Sequence, residues 1–134
     1  MYVERCGISE EGGHALGVGL QNLNNIRVMV IDLDSNHIGP MGGKALGLAL
    51  KSMTGLVDFK LYLKKNNIMP EGGTGLFEGL AHLTKLKSLN IDLYKNYTGD
   101  ACIGLCGKAL THLKELKNLE LSITYNSLSQ VGTQ

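Results

Sequence analysis

The chain has 134 residues, 43% hydrophobic and 19% charged, with thirteen basic side chains against twelve acidic ones. A formal charge of +1 gives no electrostatic ground for binding nucleic acid or an anionic membrane surface, and no apolar run approaches the ~18 residues of a membrane span. Eighteen glycines, only two prolines and a regular recurrence of leucine point to internal repetition.

The asparagines set the period: Asn36, Asn66, Asn96 and Asn126 are each 30 residues apart. Gly12-Gly13, Gly42-Gly43 and Gly72-Gly73 keep that interval, as do Leu20, Leu50, Leu80 and Leu110. Apolar columns at Ile26/Leu56/Leu86/Leu116, Met29/Phe59/Leu89/Leu119, Ile31/Leu61/Ile91/Leu121 and Leu33/Leu63/Leu93/Ile123 follow without an insertion. Chance composition does not produce this.

Taken in chain order, Met1-Tyr2-Val3 aligns with the last part of a strand, the counterpart of Ile31-Asp32-Leu33. Ser9 then precedes Glu10 and Glu11, a good N-cap with acids on the positive end of a helix. In the next two units Pro40 and Pro70 share one column, where a first-turn proline forfeits no hydrogen bond. Between Pro70 and Leu83, apolar residues at Leu76, Phe77, Leu80 and Leu83 give the spacing of an amphipathic helix. Leu89-Asn90-Ile91-Asp92-Leu93 then alternates with the period of a half-buried strand. Asp100 takes the proline column in the last unit. Small residues at Ala15/Ala45/Gly75 and Gly19/Ala49/Gly79/Ala109 predict a close approach of helix to strand layer, at about 1 kcal/mol of helix propensity per glycine. Alternating strands and helices predict an α/β fold with parallel strands joined by helical crossovers, stacked into a solenoid with a strand face and a helix face.

The segment Leu86-Lys-Ser-Leu89-Asn-Ile91-Asp-Leu93-Tyr-Lys-Asn96 resembles the leucine-rich-repeat signature, and Gly42 to Leu50 is similar to the helical half of its ribonuclease-inhibitor-like subfamily. The resemblance covers the whole chain. It implies a curved parallel sheet on the concave face and helices on the convex face, with about 4.5 repeats of 30 residues in a single array over 1–134. The strand half is two residues longer than the usual pattern, which predicts a longer strand. Units of this length resemble those common in ciliate and other protist proteins. The resemblance also implies that Asn36, Asn66, Asn96 and Asn126 point inward and bond to turn backbone as a structural ladder, with Cys6 in the same column. Buried amides need such partners.

Cys102 and Cys106 sit four residues apart on one helix and read as small core residues in a reduced chain. His82 and His112 share a column; two ligands do not complete a metal site, so they read as solvated imidazoles near helix ends. No nucleophile elbow, phosphate loop or zinc-protease motif is present. The expectation is a protein without catalytic residues, metal or cofactor.

The polar strand columns are the informative surface. One reads Tyr2, Asp32, Tyr62, Asp92, Ser122; the next Glu4, Asp34, Lys64, Tyr94, Thr124; the preceding one Val30, Lys60, Asn90, Glu120. Tyrosine supplies contact area at modest entropic cost, so Tyr2, Asp32, Tyr62, Asp92, Asp34, Lys60, Lys64 and Tyr94 are the candidate partner-binding residues. A rim column, Arg5, Ser35, Lys65, Lys95 and Tyr125, adds positive charge.

Both ends of the sequence cut through a repeat, which predicts a segment of a longer array with neighbouring repeats or subunits at each end. The expected function is a non-catalytic, cytoplasmic protein-interaction scaffold. The alternatives are a packing element of a large ciliary or cytoskeletal assembly, and a regulator of an enzyme such as a nuclease or a small GTPase.

Overall fold

The computed structural model describes residues 7–126. Helix and strand alternate four times: α1 (Glu10–Leu20), β1 (Val28–Asp32), α2 (Gly39–Ser52), β2 (Asp58–Tyr62), α3 (Met69–Leu80), β3 (Ser88–Asp92), α4 (Asp100–Leu110) and β4 (Asn118–Ser122). The strands form one parallel sheet in the order β1-β2-β3-β4. The register pairs Val28 with Asp58, Asp58 with Ser88 and Ser88 with Asn118, so each strand sits one 30-residue repeat from its neighbour. The chain is thus an α/β protein in which sequence neighbours are spatial neighbours.

Strand alternation does what period-2 patterning requires. Phe59 and Leu61 of β2, and Leu89 and Ile91 of β3, are buried beneath the sheet. They join Leu46 and Leu50 of α2, Leu76 and Leu80 of α3, and Cys102 and Cys106 of α4 in one continuous core. Each strand proper is five residues long. The extra pair of residues instead prolongs the inter-unit backbone bonding past the strand: Leu33 N–H donates to Tyr62 O at 2.8 Å and Ser35 N–H to Lys64 O at 2.7 Å. The same bonds recur from Leu63 to Asp92 and from Lys65 to Tyr94. Just there the backbone turns left-handed, with φ of 57° at Ser35 and Lys65, 55° at Lys95 and 59° at Tyr125. A non-glycine residue costs about 1–2 kcal/mol in that region, so the surrounding bonds must hold each turn in place.

The helices start as the sequence indicates. Ser9 Oγ accepts from Gly12 N–H at 3.3 Å and caps α1. Pro40 and Pro70 fall in the first turns of α2 and α3. Asp100 opens α4 behind Gly99, whose φ of 85° and ψ of 164° lie where glycine alone is at ease. The expected helix over Pro70 to Leu83 stops sooner, at Leu80. Leu83 remains fully buried but lies in a turn, its N–H donating to Leu80 O at 3.0 Å. Such a tight i→i+3 bond satisfies a helix-end carbonyl while redirecting the chain to the next strand.

The role expected of the small helical residues needs correction. Ala45, Gly75 and Gly79 abut the neighbouring helix, while Ala49 and Ala109 join the core. A Cβ on Gly47 would collide with the Gly75 carbonyl, and one on Gly79 with the Gly47 carbonyl; a Cβ on Gly43 would meet Gly72 Cα at 2.9 Å. Gly17 likewise abuts Ala45, whereas Gly19 faces open space and Ala15 is exposed. The reason is geometric. Adjacent strands are ~4.8 Å apart, but helices with ordinary side chains pack 8–10 Å apart. Helices tethered to adjacent strands can approach one another only where side chains are removed. Phe77 occupies the column of Gly17 and Gly47, and the backbones of α3 and α4 approach each other less closely than those of α2 and α3. Between α3 and α4 lies an apolar groove of about 130 Å³ walled by Phe77, Ala81, Leu105 and Ala109.

Two glycines therefore predict opposite outcomes in denaturant unfolding. Gly47→Ala is expected to lower stability by about 2–3 kcal/mol through overpacking at α3. Gly104→Ala, where a Cβ meets nothing, is expected to raise it by up to about 1 kcal/mol through helix propensity.

Candidate interaction surface

Beneath the turns that follow the strands runs a column of four fully buried amides, Asn36, Asn66, Asn96 and Asn126. Asn66 Nδ2 donates to Leu33 O at 2.8 Å, Asn96 Nδ2 to Leu63 O at 2.7 Å and Asn126 Nδ2 to Leu93 O at 2.7 Å. Their Oδ1 atoms accept in the opposite sense. Asn96 Oδ1 takes the N–H groups of Asn66 at 2.9 Å and Ile68 at 3.2 Å; Asn126 Oδ1 takes those of Asn96 at 3.0 Å and Thr98 at 3.2 Å. Asn36 Oδ1 accepts from Ile8 N–H at 3.0 Å. Asn66, Asn96 and Asn126 thus bond the backbone of the unit before them as well as carbonyls of their own turns, whereas Asn36 Nδ2 donates to Leu33 O and Asp34 O of its own unit. Cys6, aligned with this column, lies outside the described residues.

Above the ladder the strands present their polar columns in the register of the sheet, one residue per strand, ~4.8 Å apart. The acids among the candidate residues are occupied by backbone. Asp32 Oδ1 accepts from Asp34 N–H at 3.1 Å, Asp92 Oδ1 from Tyr94 N–H at 3.0 Å, and Asp34 Oδ1 from Lys64 N–H across the units at 2.7 Å. They shape the chain where it leaves the strands. Burial lifts the Asp34 carboxyl above its ordinary value of 3.8; the hydrogen bond from Lys64 opposes this, and the nearby carboxylates of Asp32 and Asp92 reinforce it.

Tyr62 belongs to a polar chain across three strands. Its hydroxyl accepts from Asn90 Nδ2 at 3.3 Å, and the same amide donates to Glu120 Oε2 at 3.1 Å. Tyr94 meets Tyr125 edge to face, with ring centroids 5.4 Å apart at 76°. Lys60 is exposed and Lys64 partly buried. The structure therefore gathers Asp32, Asp34, Lys60, Tyr62, Lys64, Asp92 and Tyr94 on one face; Tyr2 lies outside the described residues. Asn90 and Glu120, from the polar strand columns, and Tyr125, from the rim column, join them. At the opposite end of β2, Asp58 Oδ1 is buried with no hydrogen-bond partner among the described residues, and nothing in the sequence pattern foretells it.

Elsewhere reactive side chains are quiet. Burial pushes the Cys106 thiol up to about 11, which keeps it protonated. Cys102 Sγ donates to Pro70 O at 3.1 Å and contacts Thr74 Oγ1 at 3.4 Å. His82 and His112 are exposed near the ends of α3 and α4, and His112 Nδ1 lies 3.1 Å from Lys108 O. Among the described residues no three His, Cys, Asp or Glu side chains come together as a metal-binding group, and no helix is long and apolar enough to cross a membrane. The strand face can offer hydrogen bonds, charge and aromatic contact to a partner. No protein-family model matches the chain, and no curated protein matches it either.

Removing one rung tests the ladder. Asn96→Ala strands the Leu63 carbonyl, which Asn96 Nδ2 reaches at 2.7 Å, and the Asn66 and Ile68 N–H groups that Asn96 Oδ1 accepts. The expected loss in denaturant unfolding is about 2–4 kcal/mol. Asp34 predicts a pH dependence. A folded-state value above the unfolded one means that ionised Asp34 costs stability at neutral pH, and that the cost fades as pH falls towards 3.8. Asp34→Asn keeps an oxygen acceptor for Lys64 N–H without the charge. Its melting temperature should exceed the parent's at about pH 7 and equal it at about pH 3.

Proposed function

We propose that the chain is a leucine-rich-repeat solenoid of the ribonuclease-inhibitor-like type, and that it serves as a non-catalytic scaffold binding a protein through its strand face. The 30-residue register, the asparagine ladder and the single row of crossover helices support the fold reading. So does the spacing argument. Glycine contacts relieve only part of the mismatch between strands at ~4.8 Å and helices at 8–10 Å. Curvature relieves the rest by fanning the helices outward and leaving the strand face concave.

The observation that carries the functional reading is the bonded chain Tyr62–Asn90–Glu120, flanked by the Tyr94–Tyr125 pair. These side chains are held before any partner arrives. Preorganised tyrosines lose little rotamer freedom on binding, so more of their contact energy appears as affinity. Exposed Lys60 and Lys65 add charge that selects the partner's approach. The reading places the protein in the cytoplasm, with no cofactor required.

A photo-cross-linking residue at position 60 or 94 is expected to capture a defined protein from source-cell extract, and one at position 117, on the loop edge, to leave it behind. The purified partner should then bind the parent chain and lose at least about tenfold, or about 1.4 kcal/mol, to the double change Lys60→Glu and Tyr62→Ala. Equal capture from all positions, or affinity unmoved by the double change, would refute the strand-face reading.

A further inference from the structure

On the side of the molecule away from the strands, the four helices present the same outward columns with different chemistry. These are Glu11, His14 and Val18 on α1; Met41, Lys44 and Leu48 on α2; Glu71, Thr74 and Glu78 on α3; and Ala101, Gly104 and Lys108 on α4, a fourth column being continued by Lys51 in α2 and by Gln21, Ala81 and Thr111 just past the ends of the others. Outward helix positions ordinarily carry polar residues. Here α3 is polar and acidic and α4 is small and basic, but α1 and α2 place Val18, Met41 and Leu48 in water at 46%, 50% and 53% exposure. The three line one groove of about 320 Å³ between α1 and α2, floored by Ala45. Its ionisable lining residues are His14 and Lys44, with Glu10 and Glu11 outside the lining where α1 begins.

The groove is also fixed at both ends. Glu10 Oε1 accepts from Met41 N–H at 3.2 Å where the helices begin, and Ser52 Oγ donates to Gln21 O at 3.1 Å where they end. Between these clasps, Gly17 lies against Ala45 and brings the two helices close enough for their outer side chains to form one surface.

We infer that this groove is a second docking site, distinct from the strand face, for an amphipathic helix of a partner protein whose apolar stripe is flanked by acidic residues. A trough between two helices running side by side receives the ridge of a third, with anchors at helical spacing. Val18, Ala45 and Leu48 meet the apolar stripe. Lys44 in the lining, and Lys51 further along the exposed ridge of α2, meet the acids. A second copy of the chain fits poorly through its own acidic helix: the outward columns of α3 supply Glu71 and Glu78 but only Thr74 and Ala81 between and beyond them, with no large apolar anchor.

The test titrates the full chain against a labelled helical peptide of about 15 residues, with leucine at every third or fourth position and glutamate on both flanks, followed by fluorescence anisotropy. Micromolar binding is expected. Leu48→Asp should weaken it by about tenfold or more, Lys44→Glu by a few-fold, and added salt should reduce it. Leu48 is half in water, so the unfolding midpoint of Leu48→Asp should match the parent; Val18→Asp, on the other wall, provides a second reading if it does not. Lys60→Glu, on the strand face, should leave the affinity unchanged, which separates this site from the first. Equal binding of the same peptide with lysine in place of glutamate overturns the proposal, as does no binding at millimolar peptide. A concentration-dependent dimer in sedimentation that Leu48→Asp abolishes also overturns it, and assigns the groove to a second copy.

Discussion

The buried asparagine ladder is the constraint on which the other features depend. The amides of Asn66, Asn96 and Asn126 bond backbone groups of the preceding unit through both nitrogen and oxygen, and backbone of their own turn through the nitrogen. A slip of one residue between units would leave several polar groups unpaired in the core, each costing about 1–3 kcal/mol. The apolar columns favour burial in general but discriminate weakly between nearby registers, because leucine packs acceptably against leucine. Directional bonds supply the discrimination. They also stabilise the left-handed turns at Ser35, Lys65, Lys95 and Tyr125, conformations that these residues would not adopt alone. The ladder therefore fixes where each strand ends and which side chains stand beside one another on its outer face.

The glycine contacts between helices answer a second constraint, set by the first. Once the units are locked in register, strand spacing dictates how near the helices must come, and ordinary side chains do not fit. Gly17, Gly43, Gly47, Gly72 and Gly79 accept a loss of helix propensity in exchange for close backbone packing. Phe77 shows the alternative: a large side chain at a position where α1 and α2 have glycine fills the core but leaves a groove beside α4. The same 30-residue frame thus admits both tight and loose helix pairs, and the helix side can vary from unit to unit without disturbing the sheet.

Much of this was legible before any coordinates. The period, the order of helix and strand, the core columns and the Ser9 cap follow from spacing and residue chemistry, because a parallel repeat turns aligned positions directly into spatial neighbours. Three things were not legible, each for a physical reason. The partners of the glycines depend on inter-helix distance, which a column does not encode. The end of α3 depends on a choice between i→i+4 and i→i+3 bonding that Leu83 satisfies either way, since it is buried in both cases. The commitment of Asp32, Asp34 and Asp92 to backbone N–H groups depends on the path of the chain beyond the strand. In sequence they look like free surface acids.

The bonded aspartates differ in this from the other polar groups of the strand face. A carboxylate already bonded to a backbone amide must keep that bond or lose local structure, so it has less to offer a partner than an unconstrained acid. Tyr62, Asn90, Glu120 and the Tyr94–Tyr125 pair bond chiefly to other side chains on the surface. They can exchange or extend those bonds without unfolding a turn. In the proposed scaffold, recognition on this face would rest more on the aromatic and amide groups than on the aspartates, whose net charge would set the field in which Lys60 and Lys64 act. The division is a consequence of the repeat itself. The asparagine column, identical across the units, holds the array together, and under the scaffold proposal the chemistry that would distinguish one partner from another lies in columns where the units differ.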